Sequence, residues 1–280
     1  MATFIDALGH PVEIEAQPRR IVSLVPSLTE TLFAFGLGEA VVGVTRFCIE
    51  PKGGVATKAK VGGTRNPNLA RVRELAPDLI IANAEENRRE DIDQLIEAEL
   101  TVFVTFPRTV VGAVEMMRQL AAMTGSLNTA RPIIEAAEAA LAETRAANER
   151  RPPLRVFCPI WRNPWISIGP DTYIHDFIAT CGGVNIFGDR RERYPRVDLG
   201  EMARRDPEVI LLPDEPYRFE PKHVHELRTY KEVSAARDGR IYLVEGKHLC
   251  WYGPRITGSL RFIRGLLWEN QPWAASCSGM

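Results

Sequence analysis

Apolar and polar positions alternate in two rhythms along this chain, and the change of rhythm marks its elements. FIDALGHPVEIE alternates with period two on either side of Gly9-His10 and predicts a β-hairpin closed off by Pro18. RIVSLV is a short apolar strand, and PSLTETLFAFGLG predicts a helix stopped at Gly36 and Gly38. Residues 39–44 lead into a second strand, 68–75 read as a helix, and Pro77 separates that helix from the buried strand DLIIA. A helix over 88–97 and the strand TVFVTF complete the first half.

The second half repeats the order. LRVFCPI predicts a strand. DTYIHDFIATCGG predicts a helix with Asp171 or Thr172 as N-cap and Gly182-Gly183 as its stop. Residues 199–205 are helical, Pro207 interrupts, EVILL is a strand, HVHELRTYKEV a helix and RIYLVE a strand. LAPDLII and RDPEVIL match across about 130 residues, and the shared order around them predicts a duplicated α/β lobe. Between the halves lie TVVGAVEMMRQLAAMTG and TARPIIEAAEAALAETRAANERR. The latter is rich in Ala and Glu and would span ~30 Å at helical rise. The predicted layout is an N-terminal α/β lobe over 1–125, a connecting backbone helix over 126–151 and a C-terminal α/β lobe over 152–280. The predicted fold class is α/β, with mainly parallel sheets and a ligand cleft between the lobes.

The totals agree with two lobes: 280 residues, 45% apolar, is about twice a usual domain. Formal charge is −1, with 35 basic and 36 acidic side chains intermixed, so neither a nucleic-acid stripe nor a charged tail stands out. No stretch approaches the ~18 apolar residues of a membrane span. MATFIDALGHPVEIEAQPRRIVSL has no basic start, apolar core and small-residue cleavage site. As written, this predicts a cytoplasmic chain, or a periplasmic one if a leader preceded it. Five cysteines (48, 158, 181, 250, 277) without a CxxC pair suit reduced thiols.

PRRIVSLVPSLTETLFAFGLGEAVVGVT, NLARVRELAPDLIIAN, CGGVNIF and DPEVILL together resemble the periplasmic binding proteins with a helical backbone. Members of that family carry cobalamin, haem or iron–siderophore complexes to ABC importers. The resemblance runs from about residue 3 to residue 269. TRFCIEP, GGTRNPNL and NAEEN are most similar to a leaderless branch known as helical backbone metal receptors. Transport members place a docking glutamate seven residues before the proline that precedes each inner strand; here those places hold Ala70 and Gly200. Glu201 is one place off, about 100° around its helix. Cobalamin-specific members carry a tryptophan where this chain has Thr64. The resemblance therefore implies a binding protein, but neither standard importer docking nor cobalamin in particular.

Ligands of open parallel sheets sit beyond the carboxyl ends of strands. That rule selects Ser27, Arg46, Phe47, Cys48, Glu85 and Glu86 in the first lobe. In the second it selects Trp161, Trp165, Tyr194, His248, Trp251 and Tyr252. Cys48, Glu85 and His248 are of the right types to ligate a soft or borderline metal, although no close-spaced pair supports that trio. Two of them have a plainer reading: Cys48 as a small buried hydrophobe and Glu85-Glu86 as carboxylates at a helix start. His175 reads as a satisfied core or surface histidine and His223 and His225 as solvated. Cys158 and Cys181 read as core, and Cys277 belongs to the tail. The loop aromatics suit a large planar or chelated ligand, and Arg46, Arg162 and Lys247 suit its anionic edges.

The leading expectation is a non-enzymatic binding protein for a metal ion or metal chelate, with no other cofactor. Two alternatives stand beside it. One is a metal-dependent cytoplasmic enzyme using Cys48, with Glu50 or His248 nearby, although no G-x-S-x-G, P-loop or G-x-G-x-x-G occurs. The other is an ordinary periplasmic transport receptor whose signal peptide was removed.

Overall fold

The computed structural model describes residues 2–269. Its contacts divide the chain into two compact units. Among the described residues, one comprises 2–107, 111–138 and 252–254, and the other 108–110, 139–251 and 255–269.

The first unit opens with the antiparallel hairpin β1 (Ala2–Ile5) and β2 (Pro11–Ile14). β2 alternates exposed and buried residues, as a strand with one covered face should. The parallel sheet then builds from β3 (Ile21–Ser23), α1 (Pro26–Ala34), β4 (Val41–Val44), α2 (Lys52–Ala56) and β5 (Ala59–Lys60). It is completed by α3 (Leu69–Glu74), β6 (Leu79–Asn83), α4 (Arg89–Glu97) and β7 (Val102–Thr105). Strand order is β5-β4-β3-β6-β7, all parallel. Every residue of β6 is buried, which is why LIIAN reads as a continuous apolar run: helices cover both faces of such a strand. Val22, Leu24, Ile80, Ala82, Val102 and Val104 pack with Ile92 and Leu95 of α4 as its core.

α5 (Val110–Met123) and α6 (Leu127–Asn148) follow. α6 is the predicted long helix, 22 residues and ~33 Å by helical rise; it lies within the predicted span 126–151 and takes Pro132 inside it. Its residues belong to the first unit through Glu138 and to the second from Ala139.

The second unit contains β8 (Leu154–Phe157), β9 (Pro159–Trp161), β10 (Ile166–Ser167), α7 (Tyr173–Thr180) and β11 (Gly183–Asn185). Next come α8 (Leu199–Arg205), β12 (Val209–Pro213), α9 (Pro221–Leu227), α10 (Ser234–Arg237) and β13 (Ile241–Val244). α11 (Lys247–Cys250) and α12 (Ile256–Trp268) end the described chain. The parallel order is β11-β8-β12-β13. Phe157, Phe187, Met202, Ile210, Leu212 and Leu227 form its core. The caps follow the sequence: Asn68, Thr172 and Asp198 side chains accept first-turn amides of α3, α7 and α8. Gly182, at φ +89°, turns the chain out of α7.

Three expectations change. LRVFCPI is two strands: β8 stays in the parallel sheet, whereas β9 leaves it to pair antiparallel with β10. The helix predicted over HVHELRTYKEV ends at Leu227, where Thr229 turns its hydroxyl onto the Glu226 carbonyl. His223 is buried rather than solvated. Its Nδ1 accepts the Glu220 amide at 2.8 Å and its Nε2 lies 3.3 Å from the Tyr217 hydroxyl. His225 is exposed, as expected. Cys158 and Cys181 are buried core thiols, and burial pushes Cys158 up to about 12. Cys277 lies outside the described residues. No described helix is long and apolar enough to cross a membrane.

Candidate ligand-facing surfaces

Each parallel sheet reverses its strand order once, and the reversals select two adjacent strand ends. In the first sheet, successive strands build outward from β3 through β4 to β5 and then restart on the other side at β6. In the second, β11 lies on one side of β8 while β12 and β13 lie on the other. Crevices at such switch points, beyond the carboxyl ends of the strands, are where open α/β sheets bind ligands.

At the first switch, Asn87 holds the strand ends together. Its Nδ2 donates to the Leu24 carbonyl after β3 at 3.3 Å and to the Thr64 carbonyl at 2.8 Å. Its Oδ1 accepts the Asn83 amide at 2.8 Å. Asn83 in turn accepts the amides of Glu85 and Glu86 at 2.9 and 3.3 Å, which fixes that acidic pair in a turn after β6. Arg65 reaches the same turn, donating to the Glu85 carbonyl at 2.9 Å. Arg46 and Phe47 follow β4; the Arg46 amide donates to the Gly62 carbonyl at 2.8 Å. The Arg46 guanidinium lies 5.0 Å over the Phe47 ring, and that ring is 50% exposed. Thus Arg46, Phe47, Glu85 and Glu86 are drawn to one end of the sheet, together with Asn83, Asn87 and Arg65, which lie in the NAEEN and GGTRNPNL motifs but are not among the site residues selected from sequence. Ser27, in the first turn of α1, is 1% exposed.

Cys48 turns the other way. It is 1% exposed, with the hydroxyls of Thr29 and Thr45 at 3.1 and 3.2 Å from Sγ. Burial pushes its pKa up, the opposite of what a nucleophile or a ready thiolate ligand needs. In this environment its side chain packs and accepts hydrogen bonds.

At the second switch the hairpin β9–β10 projects Trp161 at the end of β8, 42% exposed, against Tyr217, which follows β12. Their rings meet edge to face at 5.6 Å. Trp165 is more deeply set, stacked on Phe219 at 5.7 Å and tilted against Phe157 at 6.4 Å. Arg162 does not reach outward: its guanidinium forms a two-point pair with Glu226 at 3.0 and 3.1 Å, which raises its pKa further. Tyr194, 39% exposed, lies on a segment that runs beside β10, with Ser167 donating to Pro195 and Gly169 to Arg193 at 3.0 and 2.8 Å.

The remaining candidates are held in packing. His248 Nδ1 lies 3.0 Å from the Ser259 hydroxyl and its ring 4.4 Å from that of Phe262. Trp251, 7% exposed, has Lys247 and Arg255 at 5.1 and 5.3 Å from its ring. Tyr252, 5% exposed, groups with the first unit. Cys48 and Glu85 lie in the first unit and His248 in the second. Among the described residues no three His, Cys, Asp or Glu side chains are grouped so as to hold a metal ion.

Burial depresses the pKa values of His175, His223 and His248 below the ordinary 6.5. The unfolded chain therefore binds more protons just below that value, and stability is lost as pH falls through it. In a Glu215→Gln background, which removes a carboxyl whose pKa burial raises toward this window, the melting temperature should decline steadily from pH 6.5 to about 5. A flat profile across that window would show that these histidines are not buried in neutral form.

Two surface positions bear on docking. Ala70 is exposed on α3, and Gly200 lies in the first turn of α8. Glu201 is engaged internally, its carboxylate paired with Arg190 at 2.5 Å and Arg205 at 2.9 Å.

The family profile described as "Periplasmic binding protein" matches residues 21–247. The vitamin B12-binding protein of Salmonella typhimurium is 30% identical over 208 residues, 73% of this chain and 76% of its own length. The crystal structure of the periplasmic vitamin B12 binding protein of Vibrio cholerae superposes with a TM-score of 0.81 at 23% identity, over 90% of this chain and 97% of that one. The periplasmic heme-binding protein of Roseiflexus sp. RS-1 superposes with a TM-score of 0.77 at 23% identity, over 90% and 98%. At that identity the two structures speak for the fold.

Proposed function

This chain belongs to the periplasmic binding protein family, and on that premise we propose that it is a receptor for a large metal-centred ligand of the corrinoid, haem or iron–siderophore class. One observation carries the reading. Among the described residues the large aromatics classed as exposed are Phe47, Trp161 and Tyr194, and all three stand on segments beyond carboxyl ends of parallel strands. Exposed aromatics concentrated at strand ends supply flat apolar area where an open α/β sheet meets its ligand. Arg46 adds a cation beside Phe47. The vitamin B12- and heme-binding names of the relatives support the same ligand class.

The ligand is bound and released unchanged in this reading. Cys48 is the thiol on which an enzymatic alternative would depend, and its burial and raised pKa disfavour it as a nucleophile. For the same reason a chelate is preferred to a bare ion held by Cys48, Glu85 and His248. The cytoplasmic location expected from the N-terminal sequence gains no support from the two solved structures, both named periplasmic, and we assign the chain to that compartment. With Ala70 and Gly200 at the expected acidic positions and Glu201 held by two arginines, any importer contact would not use an exposed glutamate there.

A thermal-shift panel on metal-stripped protein tests the class. A ligand present at about 100 times its Kd should add about 2.7 kcal/mol of stability. The reading predicts shifts with cobalamins, haem or iron–siderophores and none with Zn²⁺, Co²⁺ or Fe³⁺ alone. Shifts with the bare ions only would replace the chelate with a metal.

A further inference from the structure

α1 starts at the carboxyl end of β3, on one side of the first switch point, and its first turn is left uncapped. Val25 at the N-cap offers no capping side chain, Pro26 has no N–H, and no acidic residue stands in the first turn. The amides of Ser27 and Leu28 are therefore among the orphan donors at the positive end of the helix dipole.

A second observation is independent of the backbone. Ser27 Oγ is buried, its residue only 1% exposed, and has no hydrogen-bond partner. The neighbouring hydroxyls are all engaged: Thr29 Oγ1 lies 2.8 Å from Ser23 Oγ, and Thr31 Oγ1 donates to the Ser27 carbonyl at 2.8 Å. A buried unpaired hydroxyl costs stability, so its persistence marks a place where a partner is missing. Cα–Cβ bonds lean toward the N-terminus of their helix, so at the second helical position the Ser27 side chain leans toward the end where the orphan amides emerge.

We propose that the N-terminus of α1 is an anion seat, in which the Ser27 hydroxyl and the Ser27 and Leu28 amides receive one carboxylate or phosphate oxygen of the bound ligand. The inference rests on the receptor reading for the ligand's size and adds its chemistry: an acidic edge seated at the end of β3. Helix N-termini favour such groups by both donor geometry and dipole.

The test uses the full chain and Ser27→Ala. Haem is compared with its neutral dimethyl ester, and cobalamin with cobinamide, which lacks the phosphodiester-linked nucleotide; inorganic phosphate is a separate thermal-shift probe. Whichever acidic form binds should lose about tenfold or more in affinity in Ser27→Ala, its neutral counterpart should not, and the ligand-free melting temperature should hold or rise. The haem pair responding would identify a carboxylate, and the corrinoid pair a phosphate. Equal losses for acidic and neutral forms, or no loss for either, would overturn the seat while leaving the receptor standing. If no chelate binds the wild type, the receptor reading falls. In that case a phosphate-induced stabilisation present in wild type and absent in Ser27→Ala upholds the seat, and its absence refutes it.

Discussion

Trp161→Ala weakens binding of the large metal-centred ligand about thirtyfold while leaving the melting temperature close to that of the wild type. The indole is exposed over two-fifths of its surface and contacts Tyr217 only at an edge, so removing it opens little core. Its worth lies in the area it would bury on a bound ring. Tryptophans at the centre of an interface commonly contribute about 2 kcal/mol, which is ~30-fold in Kd. Trp165→Ala is the internal control. That ring is stacked on Phe219 and packed against Phe157, so its loss should appear as a drop in melting temperature. Fluorescence titration and thermal melts on the two variants separate the roles. A Trp161→Ala protein that binds normally would remove Trp161 from the account.

Gly169→Ala acts through backbone rather than through a contact surface. A Cβ at this position would stand 1.9 Å from the Glu192 carbonyl oxygen and 3.3 Å from the Arg193 carbonyl carbon, and neither can rotate aside. The strand-like segment carrying Tyr194 must be pushed off β10, breaking the bond from the Gly169 amide to the Arg193 carbonyl. Overpacking against backbone costs about 3 kcal/mol, on the order of 10 °C for a unit of this size. Because Tyr194 moves with that segment, affinity should fall together with the melting temperature. A variant that melts and binds like the wild type would mean that the segment does not lie against β10.

What the sequence revealed and what it hid divide along sequence distance. The all-buried runs of β6 and β12, the prolines before them, and the α6 helix are local patterns, and each appears where the periodicity placed it. Strand order is not local. The contact between Trp161 and Tyr217, and the bond from Asn87 to Leu24 across 63 residues, exist only because β8 lies beside β12 and β3 beside β6. The strand-end rule therefore selected loops but did not separate their exposed residues from their buried ones. Phe47, Trp161 and Tyr194 emerge exposed, whereas Cys48, Trp251 and Tyr252 come from the same kinds of loop and are buried. Cys48 sits between threonine hydroxyls contributed by α1 and by the end of β4, an environment that TRFCIEP alone does not disclose. His223 is an exception to that division: its partners Glu220 and Tyr217 are three and six residues away, and what the pattern does not show is that the turn before α9 folds back to bury the ring.

The central claim is that this chain binds a large metal-centred ligand on aromatic surfaces at its strand ends. The most direct measurement is an equilibrium titration of the metal-stripped protein with cobalamin, haem and an iron–siderophore, read by quenching of tryptophan fluorescence. The account predicts saturable binding of at least one of them, weakened in Phe47→Ala or in Trp161→Ala and unchanged in Cys48→Ser. Binding that survives both aromatic substitutions but disappears with Cys48→Ser would contradict it.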